Sequence, residues 1–120
     1  MAPIPRPTDA ELNILRVLWA RGPSTVREVH TAMTSVRPVG YTTTLKLMQV
    51  MTAKGLLVRE ERGTQHIYRP RHAEQQMQRR LVRDLVDRAF GGSTTAFVLQ
   101  ALNSRRTSPE ELDEIRRLLD

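Results

Sequence analysis

The residues best suited to chemistry fall in two short stretches of a 120-residue chain. The first is Tyr41-Thr-Thr-Thr-Leu-Lys-Leu-Met-Gln-Val50. A helix that turns Thr44, Leu47, Met48 and Met51 inward leaves Thr42, Thr43, Lys46, Gln49 and Val50 as its outward row. Threonine hydroxyls in such a row donate to phosphates or touch a thymine methyl, and a lysine meets a guanine edge or a phosphate. Thr42 also suits a helix N-cap, and Tyr41 suits either stacking on a sugar-phosphate backbone or pinning the turn before the helix. The second stretch carries Arg59, Arg62 and Thr64 around Gly63, side chains fitted to the phosphate backbone or the minor groove. Charges on an edge strand also serve simply to block aggregation, and Glu60 and Glu61 must point away from any polyanion or tune its approach.

Catalysis finds little support. His30, His66 and His72 form no metal-binding pair at helical spacing, and neither a Gly-rich phosphate loop nor a nucleophile elbow occurs. Glu110, Glu111, Asp113 and Glu114 cluster in what reads as the first turn of a helix, where the helix dipole accounts for them. The chain has no cysteine, which removes disulfides, thiolate metal sites and thiol chemistry together. The expectation is no enzyme, no cofactor and no metal; a His/carboxylate metal sensor is the weaker alternative.

Local signals define the elements that must position these residues. Thr8-x-x-Glu11 reads as a capping box before a helix over about 9–21, closed by Gly22-Pro23, with Leu12, Leu15, Leu18 and Trp19 on its core side. Thr25-x-x-Glu28 repeats the device before a shorter helix that ends near Ser35, and Arg37-Pro38-Val39-Gly40 reads as loop. A third helix runs from a cap at Tyr41-Thr42 to Lys54, with Gly55 in the left-handed closing position. The period then becomes two, and residues 57–61 and 65–69 flank Arg62-Gly63-Thr64 as a β-hairpin ended by Pro70. Three helices followed by a hairpin is the order of a winged helix-turn-helix. Beyond it come an amphipathic helix over about 73–90, one capped by Ser93 or Thr94, and one opened by Ser108-Pro109.

Charge divides the chain in two. Residues 1–71 hold eleven Lys or Arg and five acids, whereas residues 72–120 hold eight of each, so the whole +6 belongs to the first part. A basic N-terminal half favours a polyanionic partner. The neutral 49 residues that follow cannot enclose much core alone, and a second copy is the simplest source of the missing surface. The expected architecture is mainly α with a small β-hairpin wing: a winged helix-turn-helix DNA-binding domain at 1–71 and a helical dimerisation domain at 72–120. Met77, Leu81, Leu85, Phe97, Val98, Leu112, Ile115 and Leu119 are the candidate pairing residues. No apolar run is long enough to span a membrane and the N-terminus lacks an apolar signal region, so a cytoplasmic location is expected. The competing reading from another class is a winged-helix module whose basic face docks an acidic protein, for which exposed apolar anchors are the distinguishing feature.

These residues together resemble the penicillinase repressor family, also called BlaI/MecI. The likeness rests on Thr8-Asp-Ala-Glu through Trp19, Gly22-Pro-Ser-Thr-Val-Arg-Glu-Val29, Tyr41-Thr-Thr-Thr-Leu-Lys46 with Lys54-Gly-Leu-Leu57, and Arg62-Gly63 to Pro70. Thr95-Ala-Phe-Val-Leu99 and Glu110 to Leu119 extend it to the family's dimerisation domain. The resemblance implies a dimeric transcriptional repressor on inverted-repeat operator DNA. In the β-lactam systems a membrane-embedded sensor protease triggers cleavage in the helix corresponding to 94–104, and the repressor leaves its operator. The staphylococcal members carry Asn-Phe at the scissile position, where this sequence has Gln100-Ala101. A copper-responsive branch uses C-terminal cysteines, and their absence excludes that mechanism. Thr44 also departs from an aliphatic position, though its methyl still packs inward.

Overall fold

The computed structural model describes residues 3–35 and 38–120. Arg37, read as loop, lies outside the described residues. The order is α1 (Asp9–Arg21), α2 (Val26–Thr34), α3 (Tyr41–Lys54), β1 (Leu57–Arg62), β2 (Gln65–Pro70), α4 (Glu74–Ala89), α5 (Thr94–Ser104) and α6 (Pro109–Leu119). Both expected capping boxes form. Thr8 and Thr25 each accept from the backbone N–H three residues on, and Glu11 and Glu28 each accept from the cap's own N–H. Ser93 and Ser108 cap α5 and α6 with the first of these bonds alone, accepting from Ala96 N–H and Glu111 N–H. Gly55 closes α3 at φ 86°, in the left-handed conformation that glycine adopts without a Cβ clash.

The start of α3 departs from expectation. Gly40 is the N-cap, no side chain caps the helix, and Tyr41 and Thr42 are already helical. The reason is that extended Gly40 supplies the boundary itself and accepts the first helical bond from Thr44 N–H at 3.1 Å.

The chain divides into two compact units, residues 1–81 and 82–120. The core of the first unites Ile14, Leu15 and Leu18 of α1, Val26 and Val29 of α2, and Met48 and Met51 of α3 with Leu56, Leu57 and Tyr68 from around the ribbon. β1 and β2 pair antiparallel from Leu57↔Pro70 to Arg62↔Gln65. Ser24 adds a bridge to this ribbon, donating its N–H to Tyr68 O at 3.0 Å and accepting from Tyr68 N–H at 2.8 Å. The start of the wing is thereby tied to the turn before α2.

The second tie is electrostatic. Lys54 Nζ donates to both oxygens of the buried Glu11 carboxylate, at 2.7 and 3.0 Å, joining the last turn of α3 to the first of α1. Burial pushes the Glu11 pKa up, but the Lys54 hydrogen bonds, the Thr8 N–H and the Lys54 charge together outweigh it, leaving the carboxyl below its ordinary range.

Met77 corrects the expectation for the dimer surface. It is 1% exposed and belongs to the core of the first unit, with Leu81 packed partly against the same cluster. The cause is that the chain entering α4 is anchored on that core, where Trp19 Nε1–H donates to His72 O at 3.1 Å and Arg71 N–H to Leu56 O at 3.0 Å. The first turns of α4 therefore complete the winged-helix unit.

In the 82–120 unit Val86 is buried and Phe90 meets Phe97 edge to face, with ring centroids 5.6 Å apart. Much of its apolar surface stays outside: Leu85 is 48% exposed, Leu99 55%, Leu118 80% and Leu119 79%. Val82, Val98 and Leu112 are exposed as well, while Ile115 is half-buried.

Replacing Lys54 with Met strands a buried carboxylate and should destabilise the chain by about 1–3 kcal/mol in thermal or urea denaturation at neutral pH. Because the folded pKa of Glu11 is depressed, its contribution is complete above the ordinary value of 4.5 and fades as pH falls through the lower folded value. Glu11→Gln should flatten that acid limb of the stability curve.

Candidate nucleic-acid interface

Thr44, Met48 and Met51 lock α3 onto the core, and the opposite side of the helix is left to solvent. Thr42, Thr43, Lys46, Gln49 and Val50 are all exposed there, as the spacing requires. Leu47, expected inside, is only half-buried at the edge, where with Thr42, Thr43, Lys46 and Val50 it lines a shallow depression of about 270 Å³. Among the described residues, no hydrogen bond or ion pair engages the side chains of Thr42, Thr43, Lys46 or Gln49. Their donors and acceptors are free for an external partner.

The hairpin turns through Gly63 and Thr64 alone. Gly63 has φ 63° and no other residue type adopts positive φ among the described residues, which fits a two-residue type II′ turn. Strand alternation then separates the two arginines. Arg59 leaves on the face that carries Leu57 and Tyr68, whereas Arg62 shares the other face with Glu60, across from Gln65. Arg59 and Thr64 have no internal polar partner among the described residues.

The wing acids have partners within the ribbon. Arg69 Nε donates to Glu60 Oε1 at 3.0 Å, Arg62 stands 4.0 Å from Glu60, and His66 lies 3.6 Å from Glu61. These are exposed pairs, worth little to stability, but the two arginines offset the negative charge of Glu60.

Tyr41 is held from α2. The Arg27 guanidinium sits over its ring at 4.5 Å from the centroid, and the His30 ring meets it edge-on at 5.6 Å. His30 Nε2–H donates to Val39 O at 2.8 Å, so a proton must reside on that nitrogen. Arg27 and His30, one helical turn apart on α2, thus grip the residues that open α3. This role of the two residues is not visible in the sequence, since an i,i+3 pair on a short helix signals nothing until the tertiary partner is known.

Trp19 packs against the core, as its spacing implies. Beside it, Val17, Ala20, Ala32 and Met33 line an open groove of about 860 Å³ with Asn13, Arg16 and Glu74. Among the described residues there is no group of three or more His, Asp or Glu able to hold a metal, and no helix long and apolar enough to cross a membrane.

The model of the penicillinase repressor family matches residues 7–120. The chain belongs to that family. It is accordingly a DNA-binding transcriptional repressor with a winged-helix domain, and not an enzyme. The transcriptional regulator BlaI of Mycobacterium tuberculosis H37Rv is 31% identical over 121 residues, covering 99% of this chain and 86% of that protein. The penicillinase repressor of Bacillus licheniformis is 24% identical over 120 residues, covering 100% and 94%. Among solved structures, the DNA-binding domain of the repressor BlaI aligns with a TM-score of 0.54 at 26% identity, over 62% of this chain and 90% of that one. The monomeric form of Bacillus licheniformis BlaI, solved with the blaP half-operator, aligns at 0.55 and 25%, over 62% and 92%.

The ribbon of this repressor depends on Gly63. Gly63→Ala forces a Cβ into a left-handed conformation at about 1–2 kcal/mol, so it should lower the thermal midpoint and broaden the amide resonances of 60–67.

Proposed function

We propose that this repressor binds inverted-repeat operator DNA as a homodimer, each copy laying α3 in the major groove and its wing along the backbone. The observation that carries the reading is the outward face of α3, whose polar side chains are exposed, unpartnered and flanked by a basic ribbon. Tyr41, Thr42, Thr43, Lys46 and Gln49 form the reading edge, while Arg59, Arg62 and Thr64 meet phosphates. Arg59 and Arg62 leave opposite faces of the hairpin, so they reach different phosphates.

An acidic protein partner is disfavoured by the same surface. Protein-docking faces centre on apolar anchors, yet Val50, 43% exposed, is the one markedly exposed large hydrophobic residue in the first unit among those described. The exposed leucines and valines lie on the 82–120 unit, where Leu85, Val98, Leu112 and Leu119 with Phe97 and Ile115 offer a pairing surface. A similar repressor was solved as a monomer on a half-operator, which supports one half-site per copy. Pairing two modest half-site contacts raises the overall affinity through effective concentration.

Release then requires only that pairing be lost. Gln100 and Ala101 are exposed on α5, and cutting there by a sensor-linked or downstream protease would sever α6 from the unit. The functional division is a reading head ending near 71 and a pairing segment from 72, with the first turns of α4 serving as structural support for the head.

Lys46→Ala should weaken binding to an inverted-repeat operator by about 1–3 kcal/mol, or relax preference at one base position, in fluorescence anisotropy with systematically varied duplexes. Wild-type affinity in that titration would remove Lys46 from the interface. Leu85→Asp should shift the chain toward monomer in concentration-dependent sedimentation and weaken operator binding in parallel.

A further inference from the structure

A cleft of about 270 Å³ opens beside the outward face of α3, lined by Thr25, Arg27, Tyr41 and Leu45 with Gln65 and His66 of β2. Three separate elements meet there. The Ser24–Tyr68 bridge holds β2 against the turn before α2, and the Arg27–Tyr41 contact holds α2 against the start of α3. On α3, Tyr41 and Leu45 border the same edge as Thr42 and Gln49. The cleft is therefore continuous with the row of free polar side chains.

We propose that Arg27 is a phosphate anchor, seating one DNA backbone phosphate at the mouth of this cleft; the inference rests on the DNA reading above and extends it to a site outside α3 and the wing. An exposed arginine ordinarily loses side-chain freedom when it takes a phosphate. Arg27 is already ordered, because its guanidinium lies on the Tyr41 ring and the ring is braced by His30. The ring contact uses none of the guanidinium N–H donors in a hydrogen bond, and among the described residues no ion pair engages them, so they are available for phosphate oxygens.

Neighbouring carboxylates do not claim those donors. Glu28 accepts from Thr25 N–H at 2.9 Å and from Arg21 at 3.3 Å, and these partners hold its pKa below the ordinary value, with the Thr25 backbone bond the larger cause. Glu61 faces His66 at 3.6 Å. Among the described residues Arg27 has no acidic partner.

The test is a salt titration of the full chain on a fluorescein-labelled duplex of mixed sequence, read by anisotropy. Each phosphate neutralised adds about 0.9 to the slope of log affinity against log salt. Arg27→Ala should lower the slope by about that amount, and Arg27→Lys should restore it. Arg117→Ala, which removes the same charge from the 82–120 unit, should leave the slope at the wild-type value. Arg27→Gln gives the same comparison in a side chain of similar length, with folding of each variant checked by circular dichroism. An unchanged slope in folded Arg27→Ala overturns the anchor, even with weaker binding, since that pattern assigns Arg27 to positioning α3 alone. An equal drop in Arg117→Ala overturns it as a net-charge effect. Failure of the wild-type chain to bind duplex would instead defeat the DNA reading itself.

Discussion

The outward face of α3 is useful only if the helix is held at one angle, and the Glu11–Lys54 pair supplies much of that constraint. Glu11 is almost wholly buried, so its charge must be compensated where it stands. Lys54 does this while remaining partly exposed, which spares the ammonium full desolvation. The same carboxylate accepts from Thr8 N–H and caps α1. One side chain thereby begins the first helix and fixes the end of the third.

Two further ties act at the other end of α3 and at the ribbon. Arg27 and His30 clamp Tyr41 and Val39, setting where the helix starts. The Ser24–Tyr68 bridge fixes the ribbon relative to the turn before α2. With both ends and the neighbouring strand pinned, the free hydroxyls, lysine and glutamine of α3 become a preorganised surface. Such a surface needs little ordering on binding, so more of the interaction energy is available for affinity.

Elements defined by local chemistry were legible in the sequence. The Thr8 and Thr25 capping boxes, Gly55, Ser108-Pro109 and the hairpin around Gly63 each depend on residues within a few positions of one another. The start of α3 was misplaced because threonines after Gly40 mimic caps, although the backbone of Gly40 already performs that task. What local pattern cannot reveal is contact at a distance. Glu11 and Lys54 are 43 positions apart, and Glu11 had a sufficient local explanation as a capping residue. Met77 and Leu81 continue the apolar stripe of α4 without interruption, so periodicity could not divide residues that pack on the winged-helix core from Leu85, which stays exposed. The polar row of α3 was legible because exposure there follows from helical phase alone, while the Arg27 clamp depended on tertiary placement.

The central claim is that one face, built from the outward side of α3 and the ribbon, receives the DNA. Titrating isotopically labelled full-length chain with an operator duplex and following backbone amide shifts by NMR tests it most directly. The account predicts that perturbations concentrate at 41–50 and 59–66, while the Trp19 indole N–H, bonded to His72 O on the core, stays in place. Perturbations centred instead on the groove lined by Val17, Trp19 and Met33, with α3 unmoved, would contradict it.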